Sequence, residues 1–168
     1  RDQLADKLDT IFTTDGGYIG YGGMDGVGGI HEQREAREVK LGQYGHSNQP
    51  SHHIPYMYLY SSRPWETQKY VRDILARCYA GSTFGQGYIG DEDNGEMSAW
   101  YVLSSIGFYP LSMGNDEFAI GSPQFEEVTV NLEGNKKLVI KANNNSKKNV
   151  YVDSMYVNGE KYDKTFTK

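Results

Sequence analysis

The chain has 168 residues and a formal net charge of -5, from 17 basic and 22 acidic side chains. That length is enough for a real core, and the acidic balance marks no nucleic-acid surface. One cysteine, Cys78, excludes an internal disulfide, and no apolar run approaches the ~20 residues of a membrane span. No signal segment is visible, and a start at Arg1 rather than Met reads as a piece of a longer protein. Fourteen tyrosines and twenty glycines suit either a wet binding surface or ordinary loop packing.

Leu4, Leu8, Ile11 and Phe12 recur at helical spacing and predict an amphipathic helix over the first dozen residues. Thr13 to Gly29 holds eight glycines with Tyr18 and Tyr21, and reads as a long, ordered, functional loop. His31 to Lys40 is polar, either a short helix or a loop. Pro50 suits a first helical turn with Asn48 as its N-cap, and Ile54, Met57, Tyr58 and Leu59 continue that helix to about Tyr60. A further helix starts near Pro64-Trp65-Glu66, carries Val71, Ile74, Leu75 and Cys78 on one stripe, and stops at Gly81.

Gly85 to Gly90 is a glycine loop that leads into Gly90-Asp91-Glu92-Asp93-Asn94-Gly95-Glu96, where four carboxylates and two glycines open a helix. Asp93 or Asn94 is the expected N-cap. That helix bears Met97, Trp100, Tyr101, Val102, Leu103 and Ile106, is apolar nearly all round, and is therefore expected to be buried. After Pro110 the period changes to alternation. Strands are expected at 118–120, 127–132, 138–142 and 150–152, with turns at Glu133-Gly134-Asn135 and a hairpin at Asn158-Gly159. The division falls near Met113, giving a helical part over 1–112 and a β part over 113–168. The strands are few, so the sheet is expected to complete itself against further chain.

Carboxylates packed this closely raise one another's pKa or call for a cation, unless they only cap a solvated helix end. No P-loop lysine and no Gly-x-Ser-x-Gly elbow is present. His52 and His53 are adjacent, so they cannot chelate zinc together as an i, i+4 pair would, and each reads first as a hydrogen-bonded structural histidine. Asp91, Glu92, Asp93 and Asn94, with Asn48 and Gln49, are hard oxygen donors of the kind calcium takes, although the spacing is not an EF-hand. Asp91 and Asp93 are equally of the type that activates water in an inverting glycosidase, which needs a separate acid for the leaving oxygen.

The stretch from Gly90 to Pro110 resembles the signature of glycoside hydrolase family 92, the calcium-dependent, inverting exo-α-mannosidases, commonly α-1,2-mannosidases. His46-Ser47-Asn48-Gln49-Pro50-Ser51-His52-His53-Ile54-Pro55-Tyr56, with Pro64-Trp65-Glu66-Thr67-Gln68, resembles a second motif of that family, and Ile120-Gly121-Ser122-Pro123 its C-terminal region. The resemblance implies a β-sandwich plus an (α/α)6 toroid, with this chain supplying the last toroid helices and a small antiparallel β region. It implies Asp91 and Asp93 as general base, Asn48, Gln49 and Asp93 around calcium, and His46, Gln49 and Glu92 as sugar contacts. It also implies mannose-containing glycans as substrates and a secreted or cell-surface protein. Two features depart from the pattern. Gln49 stands where the family loop usually has glutamate, and the general acid is expected upstream of Arg1. The isolated chain is therefore expected to be inactive, and a non-catalytic carbohydrate-binding or structural module is the second reading.

Overall fold

The computed structural model describes residues 1–14, 31–81, 85–112 and 114–167. The glycine-rich loop expected over Thr13 to Gly29 lies almost wholly outside them. Helix α1 (Asp2–Thr13) buries Ala5, Leu8 and Phe12 on one stripe, and α2 (His31–Glu38) is the helical alternative for the polar stretch, with Ala36 its one buried residue. Helix α3 (Glu66–Cys78) buries Thr67, Tyr70, Val71, Ile74, Leu75 and Cys78, as the apolar spacing requires.

The stretch between α2 and α3 differs from expectation. It forms two 3₁₀ segments, Gln49–Ser51 and Ile54–Tyr60, each with proline in its first turn, rather than one α-helix. Pro55 has no N–H for an α-type bond and disfavours the α conformation of Ile54, so the tighter turn prevails. Asn48 occupies the cap position of the first segment in an extended conformation but makes no side-chain cap bond.

Helix α4 (Glu96–Ile106) buries only one line, Met97, Trp100, Ser104 and Ser105. Val102 is 55% exposed, which corrects the expectation of a helix buried all round. The two serines on the buried line serve neighbours: Ser104 Oγ meets Tyr56 Oη at 2.8 Å, and Ser105 Oγ donates to Gln124 Oε1 at 3.2 Å.

The chain then turns antiparallel, so the expected order of helices followed by a small antiparallel region holds. Strands β1 (Phe108–Tyr109), β2 (Phe118–Ile120) and β7 (Phe166–Thr167) form one sheet in the order β1-β2-β7. β3 (Glu127–Asn131) pairs with β4 (Lys137–Lys141), and β5 (Met155–Val157) with β6 (Glu160–Tyr162). Asn158 and Gly159 turn that last hairpin with φ of 53° and 87°, the pair of positive values a two-residue hairpin turn needs. Residues 150–152 do not form the expected strand. Val150's carbonyl accepts from Ser122 Oγ and Val152's N–H donates to Gln68 Oε1, so side chains take the groups a ladder would use.

The core is a run of packed rings. Phe12 stacks on Tyr70 with centroids 4.0 Å apart, Tyr70 on Tyr58 at 5.3 Å, and Phe12 meets Tyr44 at 4.9 Å. A second group of His46, His52, Trp100, Tyr56 and Tyr109 continues it toward α4. The second group supports the loop that carries His46 and His52.

Candidate active site

The acidic stretch is a turn wound against its own helix. Asp93, Asn94 and Gly95 take φ of 49°, 59° and 93°, so three successive residues sit in the left-handed region. Short polar side chains tolerate that region best, but at a cost of about 1–3 kcal/mol each. Gly95, not Asp93 or Asn94, precedes the helix, and the side chain that caps α4 is Glu92. One carboxylate oxygen accepts Ser98's backbone N–H at 3.0 Å, and the other accepts its hydroxyl at 2.9 Å. Hydrogen bonds from Tyr88 and then from the Ser98 N–H hold Glu92 below the usual carboxylate range. Both oxygens of Glu92 accept from the helix end, while its expected sugar contact stays what the family resemblance implies. Asp91 and Asp93 are left with exposed side chains.

The second loop is supported from below by histidines. His46 is fully buried. Its Nδ1 faces the Tyr44 hydroxyl at 2.9 Å and its Nε2 the Tyr79 hydroxyl at 2.8 Å. Tyr79 itself donates to the Met97 carbonyl at 3.0 Å, so it accepts from His46, which fixes His46 as the Nε2–H tautomer with Nδ1 accepting from Tyr44. Burial, then the nearby His52, pushes His46 well below the ordinary histidine value. Neither nitrogen is free for a sugar, so the geometry makes His46 a support of the loop rather than the sugar contact expected of it.

His52 is also buried. Its Nε2 donates to the His46 carbonyl at 3.0 Å, its Nδ1 faces Glu96 Oε1 at 3.3 Å, and its own carbonyl accepts the Trp100 indole N–H at 3.1 Å. Tyr109's hydroxyl donates to that same Glu96 oxygen at 3.2 Å. Burial lowers the His52 pKa, and the His46 carbonyl and Glu96 carboxylate oppose that. His52 thus ties its loop to the first turn of α4, which is the structural role the sequence assigned to it.

These supports bring together two loops far apart in the chain. Gln49 Nε2 donates to the Asp91 carbonyl at 2.9 Å across 42 positions of sequence. Gly90, at φ 70°, lies so close to Ser47 that a Cβ there would stand 2.3 Å from the Ser47 Cβ. Gln86 Nε2 reaches back to the Gly90 carbonyl. Beside Gly90 and Asp91 opens a cavity of about 410 Å³ that also exposes His31, Glu35, Glu38, Gln86 and Tyr88. Of the residues singled out from sequence, Gln49 and Asp91 meet directly. Asn48 adjoins Gln49 in one loop, Asp93 follows Asp91 in the other, and His46 and Glu92 stand behind them.

Glu96, Tyr79, Tyr44, Tyr109 and the α2 side chains escaped the sequence reading. A Tyr44-Gly45-His46 spacing or a Glu96 in a helix's first turn carries no signal of a partner 33 or 44 positions away. The closeness of Gly90 to Ser47 was equally invisible among twenty glycines.

The oxygens fit a hard cation in type. With its Nε2 on Asp91's carbonyl, Gln49 keeps its amide oxygen as the atom free to coordinate, and Asn48 and Asp93 are the other oxygen donors that the two loops carry. Among the described residues no three His, Cys, Asp or Glu side chains are grouped to hold a metal by themselves, so amide, carbonyl or water oxygens would have to complete any such shell.

Comparison with known proteins places the chain in a family. Residues 1–168 match the glycosyl hydrolase family 92 catalytic domain. The chain is 36% identical to a family 92 α-mannosidase of Bacteroides thetaiotaomicron, with a TM-score of 0.79 over 98% of this chain and 20% of that one. It is 37% identical to a family 92 inverting mannosidase of the same species, with a TM-score of 0.74 over 98% of this chain and 22% of that one. An uncharacterized secreted glycosidase of Arthroderma benhamiae is 29% identical over 118 residues, 68% of this chain and 15% of the relative. The chain therefore spans about a fifth of its solved relatives. A helical part followed by small antiparallel sheets, with an acidic turn pinned against an Asn-Gln loop, is part of a family 92 catalytic domain, and the chain belongs to glycosyl hydrolase family 92.

Proposed function

We propose that the full-length protein is a calcium-dependent, inverting exo-α-mannosidase that removes terminal α-mannosyl units, those in α-1,2 linkage first, from mannose-containing glycans. Its helices would be the last of an (α/α)6 toroid. The observation that carries the reading is the bond from Gln49 to the Asp91 carbonyl, which sets the acidic turn against the Asn48-Gln49 loop in a chain of this family. Asp91 and Asp93 share the general-base role. Their carboxylates are the two in the turn left without a structural task, whereas Glu92 caps α4 and Glu96 holds His52. Asn48, Gln49 and Asp93 would hold the calcium, which when bound supplies a Lewis acid and template for the sugar hydroxyls. His46 and Glu92 act from behind the site, and Gln49 is the amide nearest the sugar. The general acid comes from the part of the full-length protein outside this chain, so the isolated chain is inactive. Secretion is proposed on the likeness to the secreted glycosidase of A. benhamiae.

The test is hydrolysis of α-1,2-mannobiose by the full-length protein, followed by proton NMR, in calcium and then in excess chelator. The expected first product is β-mannose, with release abolished by the chelator. First-formed α-mannose would contradict inversion, and unchanged rates in chelator would contradict the calcium role.

A further inference from the structure

Asn-Gly occurs twice in the chain, at Asn94-Gly95 and Asn158-Gly159. In this pair the main chain readily attacks the neighbouring side chain, because glycine has no Cβ to shield its own N–H. The first pair lies inside the acidic turn, directly after Asp93. Asn94 is exposed, and its side-chain amide makes no hydrogen bond among the described residues. The Gly95 N–H donates none either. A Cβ built on Gly95 would meet nothing within 4 Å, so the space beside that nitrogen is open. The backbone around the pair is weakly held. Glu96 N–H donates to the Asp93 carbonyl and Met97 N–H to the Glu92 carbonyl, both at 3.2 Å, the long end of the normal range. Asp93, Asn94 and Gly95 already occupy the costly left-handed region. At the second pair, Val157 and Glu160 on either side are paired with each other in the β5–β6 hairpin, so a rearrangement there works against the ladder.

We propose that Asn94 is a site of spontaneous deamidation through a succinimide, and that conversion at this position limits the working life of the catalytic turn. The Gly95 nitrogen gives up its proton and bonds to Asn94 Cγ. The Cγ–Nδ2 bond breaks, and ammonia leaves with that proton. Water then opens the five-membered ring at either carbonyl, with no change of oxidation state. Opening at one carbonyl leaves an ordinary aspartate at this position. Opening at the other leaves an isoaspartate, which routes the main chain through Cβ and makes it one carbon longer. Both 3.2 Å bonds span residue 94, so the longer chain cannot keep them in register, and Asp93 moves with it. A displacement of about 1 Å in a catalytic group is worth about 100-fold in rate. The effect on activity rests on the mannosidase reading, whereas the chemistry at Asn94 does not.

The experiment ages full-length wild type and Asn94→Gly for days at mildly alkaline pH. Glycine keeps the left-handed backbone and removes the amide. Peptide mapping follows the gain of one mass unit at each Asn-Gly pair, an isoaspartyl methyltransferase assay measures isoaspartate, and hydrolysis of an aryl α-mannoside is read against each protein's own starting rate. Wild type is expected to convert at Asn94 before Asn158. Its kcat/KM should fall in step with the isoaspartate fraction, that form being at least about 100-fold slower, while Asn94→Gly holds its starting rate. Asn94 still intact when Asn158 has converted overturns the proposal, and that result comes from wild type alone, whether or not the variant folds. Full activity in a protein converted at Asn94, or equal decay in wild type and variant, overturns the effect on working life. Fresh wild type that turns over no α-mannoside overturns the mannosidase reading, and the mapping still decides the chemistry at Asn94.

Discussion

The helical part and the strand part are held together in different ways. Beneath the site loops, Tyr44, His46, Tyr56, Met97 and Trp100 are almost wholly buried, and their polar atoms are matched to one another. In the strands after Pro123 the side chains stay open: Leu132, Val139, Tyr156 and Val157 are each two-fifths exposed or more. β3 and β4 are joined by a regular five-pair register, but neither strand has a buried residue. Buried rings with satisfied polar tips fix positions to within tenths of an ångström, whereas a solvated ladder fixes only its own pairing. The candidate catalytic turn sits on the first kind of foundation.

Substitutions in the full-length protein should separate the two regions. Trp100→Ala should have the largest effect, about 3–5 kcal/mol of stability by denaturant unfolding, because it empties the centre of the ring cluster and strands the His52 carbonyl. Val139→Ala, on the ladder that is open in this chain, should cost less by the same measurement. Equal losses would show that the distinction is false.

Gly90→Ala comes next. A methyl group would meet Ser47 at a left-handed backbone position, so a loss of about 2–4 kcal/mol is expected. The Gln49–Asp91 contact should open with it, lowering kcat/KM by about 100-fold through misplacement of the turn. A variant that retains full activity would show that the two loops need no such closeness.

Smaller effects come from protons. His46 is neutral when folded and has its pKa lowered by burial, so below about pH 6.5 the unfolded chain binds a proton that the folded chain refuses. Stability is therefore full above that pH and falls as pH drops toward the folded pKa, by about 1.4 kcal/mol per unit. His46→Gln should flatten that slope in denaturant titrations between pH 5 and 6.5. Glu92 follows the same sign at lower pH: its folded pKa lies below the ordinary carboxylate value, so its cap is present above that value and is lost as pH falls through the folded one. Glu92→Gln should cost about 1 kcal/mol at neutral pH.

Much of this was legible where local rules decide. The stripe of α3 and the Asn158-Gly159 hairpin each follow from a spacing or a backbone preference of a few residues. Sequence failed where a distant partner overrides the local pattern. Val150 and Val152 have strand character, yet Ser122 and Gln68 take their backbone groups. Glu92 lies six positions from the Ser98 it caps, beyond the span of a standard N-cap. The two motif loops were found through a family resemblance, since no periodicity joins Gln49 to Asp91, and the α2 residues beside the cavity lay outside both motifs.

The central claim is that Asp91 and Asp93 are the working acids of the turn, while Glu92 and Glu96 hold it in place. The most direct measurement is the steady-state hydrolysis of an α-mannoside by full-length Asp91→Asn and Asp93→Asn, with unfolding midpoints recorded alongside. The account predicts a fall in kcat of at least about 100-fold in each at nearly unchanged stability. Near wild-type kcat in both variants would contradict it and move the search for the base away from this turn.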